Sequence, residues 1–286
     1  MDDRLRRSLL YVPASSEPML RKAGSRGADV LIVDLEDGVL PEAKQAAREQ
    51  AERLWPELEL GGSEALLRVN AAGSPWQDAD LESAARIRPD GLVLPKCEEP
   101  SAVAAVARRL GETPLFPMVE TARGVLAAPE LARVERVAGL LFGAADFRAS
   151  IRASRDPDEA ELLVARSRLV LAARAAGALA FDTPFFDYRD EVGLERSARR
   201  ARTLGFDGKT AIHPGQVRVL NRVFAPTAAE VERARAVVAA LEAAAREGKG
   251  VATVDGEMVE ALHGAEARRT LAMAEKAGVP PEAIAR

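Results

Sequence analysis

The chain has 286 residues, with 40 Lys+Arg against 44 Asp+Glu and a formal net charge of −4. That balance argues against a nucleic-acid binder, which needs a basic face, and the length allows a well-buried core in one large α/β domain or two smaller ones. One cysteine (Cys97) and two histidines (His213, His263) exclude an intrachain disulfide and any Cys- or His-built metal site. A bound metal is therefore left to carboxylates, which favours Mg²⁺ or Mn²⁺.

The first residues, Met1-Asp2-Asp3-Arg4-Leu5-Arg6-Arg7, lead into an apolar run that stops at Pro13, too short and too acidic for a signal peptide. No run approaches the roughly 20 apolar residues of a bilayer span, so a cytoplasmic protein with no membrane partner is expected. Strands are predicted at Ser8–Val12, Val30–Asp34, Ala65–Asn70, Gly91–Pro95, Leu115–Glu120, Val137–Phe142, Ala178–Asp182 and Gly208–Ile212. Most are continuous apolar runs, the pattern of parallel strands buried on both faces.

Between the strands, Pro41 occupies a first helical position, and Ala43, Ala46, Ala47, Ala51 and Leu54 mark one apolar face. Pro129 reads as the opening of a helix through Val134. Helices are also predicted over Asp158–Ala176 and Gly193–Leu204, with Gly177 and Gly205 ending them. Thr227-Ala228-Ala229-Glu230 is a capping box before a helix reaching Arg246.

This alternation predicts an α/β fold, a (β/α)₈ TIM barrel over residues 1–247. The competing architecture is a doubly wound open sheet, but the chain has no GxGxxG and no GxxxxGK[ST] to support it. Residues 248–286 fall outside the barrel units. They begin Gly-rich (Gly248, Gly250, Gly256), end in a helix predicted at Glu266–Lys276, and are expected to form a lid or an arm reaching a neighbouring subunit.

Barrel chemistry sits at the C-terminal ends of the strands. The predicted strands end on Asp34-Leu35-Glu36-Asp37, Arg68-Val69-Asn70, Pro95-Lys96, Glu120-Thr121, Asp146, Asp182 and His213. A single carboxylate after a strand is ordinarily a helix cap or a solvated loop residue. Charged groups ending nearly every otherwise uncharged strand are harder to explain that way, and they are expected to converge on one mouth. Glu120 and Asp146 follow neighbouring strands and are the candidate ligands of one cation, leaving most of an octahedral shell to water and substrate oxygens. Arg68 offers a planar fork to a substrate carboxylate, a salt bridge to Glu36 or Asp37, or both.

The chain resembles the citrate lyase β-subunit family, within the HpcH/HpaI aldolase and citrate lyase superfamily. The segments that carry the resemblance are Arg7-Ser8-Leu9-Leu10-Tyr11-Val12-Pro13, Asp34-Leu35-Glu36-Asp37 with Lys44 and Arg48 downstream, and Arg68-Val69-Asn70. They continue with Leu94-Pro95-Lys96, Glu120-Thr121-Ala122, Phe142-Gly143-Ala144-Ala145-Asp146 and Ala211-Ile212-His213-Pro214.

The resemblance implies a (β/α)₈ fold, Mg²⁺ held by Glu120 and Asp146, and a substrate carboxylate held by Arg68. It implies cleavage of a carbon–carbon bond in a 3-hydroxy acyl thioester of citryl, malyl or citramalyl type. The products would be a 2-oxo acid such as oxaloacetate and an acetyl thioester, with CoA or an acyl carrier protein as carrier and a homotrimer or hexamer as the assembly. Relatives acting on CoA thioesters carry Met-Ile-Asp-x-Pro in the lid. The matching stretch here is Met258-Val259-Glu260-Ala261-Leu262, which carries the acid/base role to Glu260.

In that chemistry the Asp34-Leu35-Glu36-Asp37 cluster orders metal-bound water or Arg68. Arg7, Lys22 and Lys96 are candidates for the carrier's phosphates or the substrate's far carboxylate. His213 is expected to be structural and His263 a surface residue. Two further readings stand beside this one. One is the β subunit of a multi-subunit citrate lyase, working on an acyl-carrier-protein thioester. The other is a metal-dependent pyruvate aldolase, which would place a His base in an early loop, where this chain has none before His213.

Overall fold

The computed structural model describes residues 4–279. The described chain packs as two compact units, one over Arg6–Asn221 and the other over residues 222–279 together with Arg4 and Leu5. The first unit is built on a closed barrel of eight parallel strands: β1 (Ser8–Pro13), β2 (Val30–Asp34), β3 (Glu64–Arg68), β4 (Gly91–Leu94), β5 (Leu115–Val119), β6 (Gly139–Phe142), β7 (Leu179–Asp182) and β8 (Gly208–Ala211). The ring closes where Thr210 of β8 pairs with Leu9 of β1. Each predicted strand is present, with ends shifted by at most two residues.

Around the barrel run α1 (Glu17–Arg21), α2 (Lys44–Leu54), α3 (Gln77–Ile87), α4 (Pro100–Leu110), α5 (Ala122–Ala132), α6 (Ala144–Ile151), α7 (Leu163–Ala175), α8 (Glu191–Leu204) and α9 (Val217–Phe224). Pro129 does not open a helix: it lies inside α5, which starts at Ala122 behind the Thr121 N-cap, whose side chain accepts from Gly124 N–H. A proline there removes the N–H that Val125 carbonyl would have received. Arg168 of α7 replaces it, its Nε donating to Val125 O at 2.8 Å and its Nη2 to Leu126 O at 2.9 Å.

The barrel interior is filled by Leu9, Val30, Ile32, Leu66, Val93, Phe116, Met118, Leu141 and Phe181. Large side chains face small ones: a Cβ at Gly91 would stand 2.6 Å from the Phe116 ring. Because side chains alternate along a strand, the inward phase fixes what reaches the mouth. Two residues beyond Ile32, Leu66, Met118, Leu141 and Phe181 come Asp34, Arg68, Glu120, Gly143 and Thr183, and all five line the mouth.

Two of the expected mouth residues turn into the helical layer instead, Asn70 because it lies two residues past the end of β3, where strand alternation no longer holds, and Asp182 because it is in the outward phase of β7. Asn70 does not face the mouth. Its backbone N–H and side-chain amide both donate to Asp80, at 2.8 and 2.7 Å, and Asp80 is held in turn by Arg48. Asp182 also faces outward, wholly buried. Both its oxygens accept from Arg166, at 2.9 and 3.0 Å, and Lys209 donates to it as well. Arg166 reaches Glu159 with its remaining nitrogen at 2.8 Å.

Burial alone would raise the Asp182 pKa, but Arg166 and Lys209 outweigh it and hold the carboxyl below its ordinary value of 3.8. A depressed carboxyl pKa contributes stability that is present above the unfolded value and lost as pH falls through the folded one. Asp182→Asn therefore destabilises the protein by about 3 kcal/mol near neutral pH, because two buried cations lose their counter-ion. The loss is read by chemical denaturation, and the difference from the parent shrinks below pH 3.8.

The second unit pairs α10 (Ala228–Arg246) with α11 (Ala261–Lys276) across a hairpin of β9 (Ala252–Val254) and β10 (Glu257–Val259). The Thr227 capping box forms as predicted. The hairpin turns on Asp255-Gly256, both at positive φ (50° and 82°), the backbone of a two-residue Asp-Gly turn. Ala234, Val237, Val254, Val259 and Ala267 form its core. Among the described residues no helix is long and apolar enough to cross a membrane.

Candidate active site

A cavity of about 350 Å³ opens at the C-terminal end of the barrel, lined by residues that include Tyr11, Asp34, Asp37, Arg68, Glu120 and Asp146. Arg68 is its fixed point. Its Nε and Nη2 grip the two oxygens of Asp34 at 2.6 and 2.7 Å, and its Nη1 lies 2.8 Å from Glu36. The sequence reading anticipated Glu36 or Asp37 as the partner; the bidentate partner is Asp34, and Asp37 lies 3.8 Å away and 65% exposed. The Tyr11 ring covers the guanidinium at 4.7 Å. Burial alone would lower the Arg68 pKa, but the facing Asp34 holds it well above the ordinary value.

The loop after β2 is built to hold this arrangement. Asp34 accepts backbone N–H bonds from Glu36 at 2.8 Å and Gly38 at 2.9 Å, one on each oxygen. Lys44, buried at the start of α2, donates to the carbonyls of Leu35 and Glu36 at 2.8 and 2.7 Å. The lysine downstream of Asp34-Leu35-Glu36-Asp37 thus stitches the loop from beneath. Burial raises the Glu36 pKa despite Arg68 and Lys96 beside it.

Glu120 stands across the cavity, 4% exposed. Burial pushes its pKa up to about 7. One oxygen accepts the Lys96 backbone N–H at 2.7 Å. Lys96 makes that contact from the left-handed region, φ 52°, where a non-glycine residue is uncommon and strained. Its ammonium reaches Glu36 at 2.6 Å and lies 3.9 Å from Asp146. Asp146, in the first turn of α6, is 44% exposed and lines the same cavity. Thr183 accepts the Ala144 N–H at 3.0 Å and so fixes the start of that helix.

Gly143 supplies room. Its φ of −110° suits any residue, but a Cβ there would come within 2.5 Å of Glu120 Cβ and closer still to Glu120 Oε2.

The structure therefore brings together Arg68, Glu36, Asp37, Lys96, Glu120 and Asp146. It does not bring Arg7 or Lys22 to the cavity. Arg7 precedes β1, at the opposite end of the barrel, where its Nε and Nη2 pair with Asp29 at 2.8 Å. Lys22 is exposed just after α1 and does not line the cavity. Glu260 is exposed at the start of α11, in the second unit, its N–H donating to His263 Nδ1 at 3.1 Å. His213 caps the turn after β8, with Nδ1 accepting the Gly215 N–H. The sequence reading missed Tyr11, Thr183 and Gly143, and left Asp34 in a supporting role. All four follow from the inward phase of their strands.

The HpcH/HpaI aldolase/citrate lyase family model matches residues 7–214. The chain is 40% identical over 269 residues to a (3S)-malyl-CoA thioesterase of Cereibacter sphaeroides, covering 94% of each protein. It is 38% identical over 291 residues to citrate lyase subunit beta of Escherichia coli, covering 98% of this chain and 96% of the relative. The solved structure of protein CitE from Mycobacterium tuberculosis in complex with magnesium, acetoacetate and coenzyme A superposes with a TM-score of 0.80 at 34% identity, covering 95% of this chain and 97% of that one. With most of the barrel inside the family match and these relatives similar along nearly their whole length, the chain belongs to the HpcH/HpaI aldolase/citrate lyase family.

Proposed function

We propose that the protein is a Mg²⁺-dependent carbon–carbon lyase that cleaves a 3-hydroxy acyl thioester into a 2-oxo acid and an acetyl thioester. The observation that carries this reading is one cavity holding a desolvated carboxylate, Glu120, together with a guanidinium fixed by its own counter-ion, Arg68. Glu120 and Asp146 suit Mg²⁺: both are oxygen donors, and Glu120 keeps one oxygen free of the Lys96 amide. Among the described residues no three Asp, Glu, His or Cys side chains converge as a complete metal site. Two protein ligands leave the remaining positions to water and substrate oxygens, the usual arrangement for Mg²⁺. When bound, the ion supplies Lewis acidity to the hydroxyl oxygen and its neighbouring carboxylate.

The chain's own groups do the rest. Arg68 commits three nitrogens to Asp34 and Glu36 but has five N–H donors, so it retains N–H groups for a substrate carboxylate. Glu36 is committed to Arg68 and Lys96 and is a positioning residue. Asp37, exposed and 3.8 Å from both cations, is placed to order water or accept the hydroxyl proton. Lys96 holds Glu120 through its amide and Glu36 through its ammonium. By the resemblance, Glu260 is the candidate acid for the enolate of the acetyl thioester at a neighbouring subunit's site.

Purified protein with Mg²⁺ and citryl-, malyl- or citramalyl-CoA should release a 2-oxo acid without free thiol. The similarity to a thioesterase favours one competing outcome, free thiol with no 2-oxo acid, and that result overturns the lyase reading. In the same assay Glu260→Gln loses turnover while 2-oxo acid affinity is kept; unchanged turnover removes Glu260 from the reaction. Gly143→Ala tests the placement of Glu120. The added methyl displaces that carboxylate, so Mg²⁺ affinity falls by about tenfold or more while the circular dichroism spectrum is unchanged. Calorimetry showing parental Mg²⁺ affinity would sink the placement.

A further inference from the structure

Among the described residues, Arg166 is the largest side chain that is completely buried. It lies outside the barrel, on α7, and is joined there to Asp182 and Glu159, with Lys209 on the far side of Asp182. Taking two cations and two anions out of water costs more than apolar residues of the same volume would, so stability alone is a weak reason for the cluster. What a buried guanidinium supplies is direction, because its donors form a rigid planar fork.

The fork reaches two places. Nε and Nη2 hold Asp182, and the next residue, Thr183, accepts the N–H of Ala144, the first residue of α6. Nη1 holds Glu159, which Ser197 of α8 also meets at 3.1 Å. Burial alone would raise the Glu159 pKa, but Arg166 holds it below its ordinary value of 4.5. Glu159 stands at φ 55°, strained for a non-glycine residue, and leads into the short turn Ala160–Leu162. In that turn Glu161 accepts from Arg148 Nε at 2.5 Å, and Arg148 is on α6, two residues past Asp146. Both arms therefore return to the same helix, one on each side of Asp146. Near the other end of α6, Ser150 accepts the Ala122 N–H at 3.0 Å, which ties the helix to the chain just after Glu120.

We propose that Arg166 is a positioning residue for the cation site: by holding Asp182 and Glu159 together it sets α6, and with it the place of Asp146 relative to Glu120. The inference rests on the reading of Glu120 and Asp146 as the Mg²⁺ ligands. Asp146 is 44% exposed and its ion pair with Lys96 is 3.9 Å long, so its own side-chain contacts do little to place it. Its place is set by the helix that carries it. Two carboxylates share one cation only while their spacing is kept to within about 0.5 Å. Lys209 differs from Arg166 in this respect. It neutralises Asp182 but has no arm to Glu159, and so takes part in the cluster without joining its two ends.

Mg²⁺ calorimetry on Arg166→Met and Lys209→Met tests the proposal. Each variant leaves Asp182 with one buried cation, and both should melt at a lower temperature than the parent. Only Arg166→Met should lose Mg²⁺ affinity, by about tenfold, while Lys209→Met keeps the parental value. If Arg166→Met does not fold, Arg166→Lys takes its place with the same expectation, because an ammonium cannot span Asp182 and Glu159 together. A double-mutant cycle locates the effect: added to Asp146→Asn, the Arg166 change should cause no further loss of Mg²⁺ affinity. Equal losses in the Arg166 and Lys209 variants, or parental affinity in the Arg166 variant, would show that the cluster serves stability alone. A full further loss in the Asp146→Asn protein would overturn the placement of Asp146 as the route. If the parent itself binds no Mg²⁺, the metal reading fails and the positioning role falls with it.

Discussion

Glu120→Gln abolishes Mg²⁺ binding and thioester cleavage while leaving the metal-free protein at least as stable as the parent. The substitution keeps the size and shape that fit beside Gly143, and it keeps an oxygen to accept the Lys96 amide. What it removes is the charge. A buried carboxylate whose partners are one backbone N–H and a distant guanidinium sits in a site that disfavours its ionised form, which is why burial lifts its pKa to about 7. A cation is the natural complement of such a group. The neutral amide therefore costs at least about a hundredfold in Mg²⁺ affinity, more than the loss of a supporting residue would. The same change relieves the fold of an imperfectly compensated buried charge. Calorimetry with Mg²⁺ and thermal unfolding without it check the two halves separately. A large drop in melting temperature would mean that Glu120 is a structural group, and parental Mg²⁺ affinity would mean that it is not a ligand.

How far the site was legible in the sequence depends on one property of strands. Mostly apolar runs located the eight strands, since a parallel strand buried on both faces has few polar interruptions, with Lys209 and Thr210 of β8 the exception. That same continuity concealed which face of each strand pointed inward. Reading every charged strand end as a mouth residue therefore grouped Asp182 with Arg68 and Glu120, although Asp182 is in the outward phase and belongs to the Arg166–Lys209 cluster. Counting back in steps of two from an inward residue separates them: Glu120 follows Met118 and Phe116, whereas Asp182 neighbours inward Phe181.

Strand direction would equally have excluded Arg7, which precedes its strand. Tyr11 escaped notice as one more apolar residue of β1, though it shares the phase of Leu9 and lies over Arg68. The β9–β10 hairpin was hidden for a different reason. Its strands are three residues each, too short for alternation to register, and only Asp255-Gly256 signalled a turn.

Arg68→Ala should be the most disruptive single change at the mouth, because it removes two functions at once. Asp34 and Glu36, with side chains 3% and 6% exposed, lose their counter-ion. Leaving buried carboxylates unpaired costs about 3–5 kcal/mol of stability. The 2-oxo acid loses its fork, and its affinity falls by about a hundredfold, the equivalent of a strong charge-assisted pair. Mg²⁺ affinity should not weaken, since Arg68 opposes a cation near Glu120 rather than helping to hold it. Arg68→Lys gives a smaller loss of stability but a similar loss of binding, because an ammonium cannot hold both oxygens of Asp34 and also offer a planar edge to a ligand. The double variant Arg68→Met with Asp34→Asn separates the two functions. Removing the orphaned charge recovers much of the stability, and 2-oxo acid affinity stays lost because no cation has been restored. Recovery of both would show that Arg68 only holds the loop after β2 in place, and that the substrate carboxylate is held elsewhere.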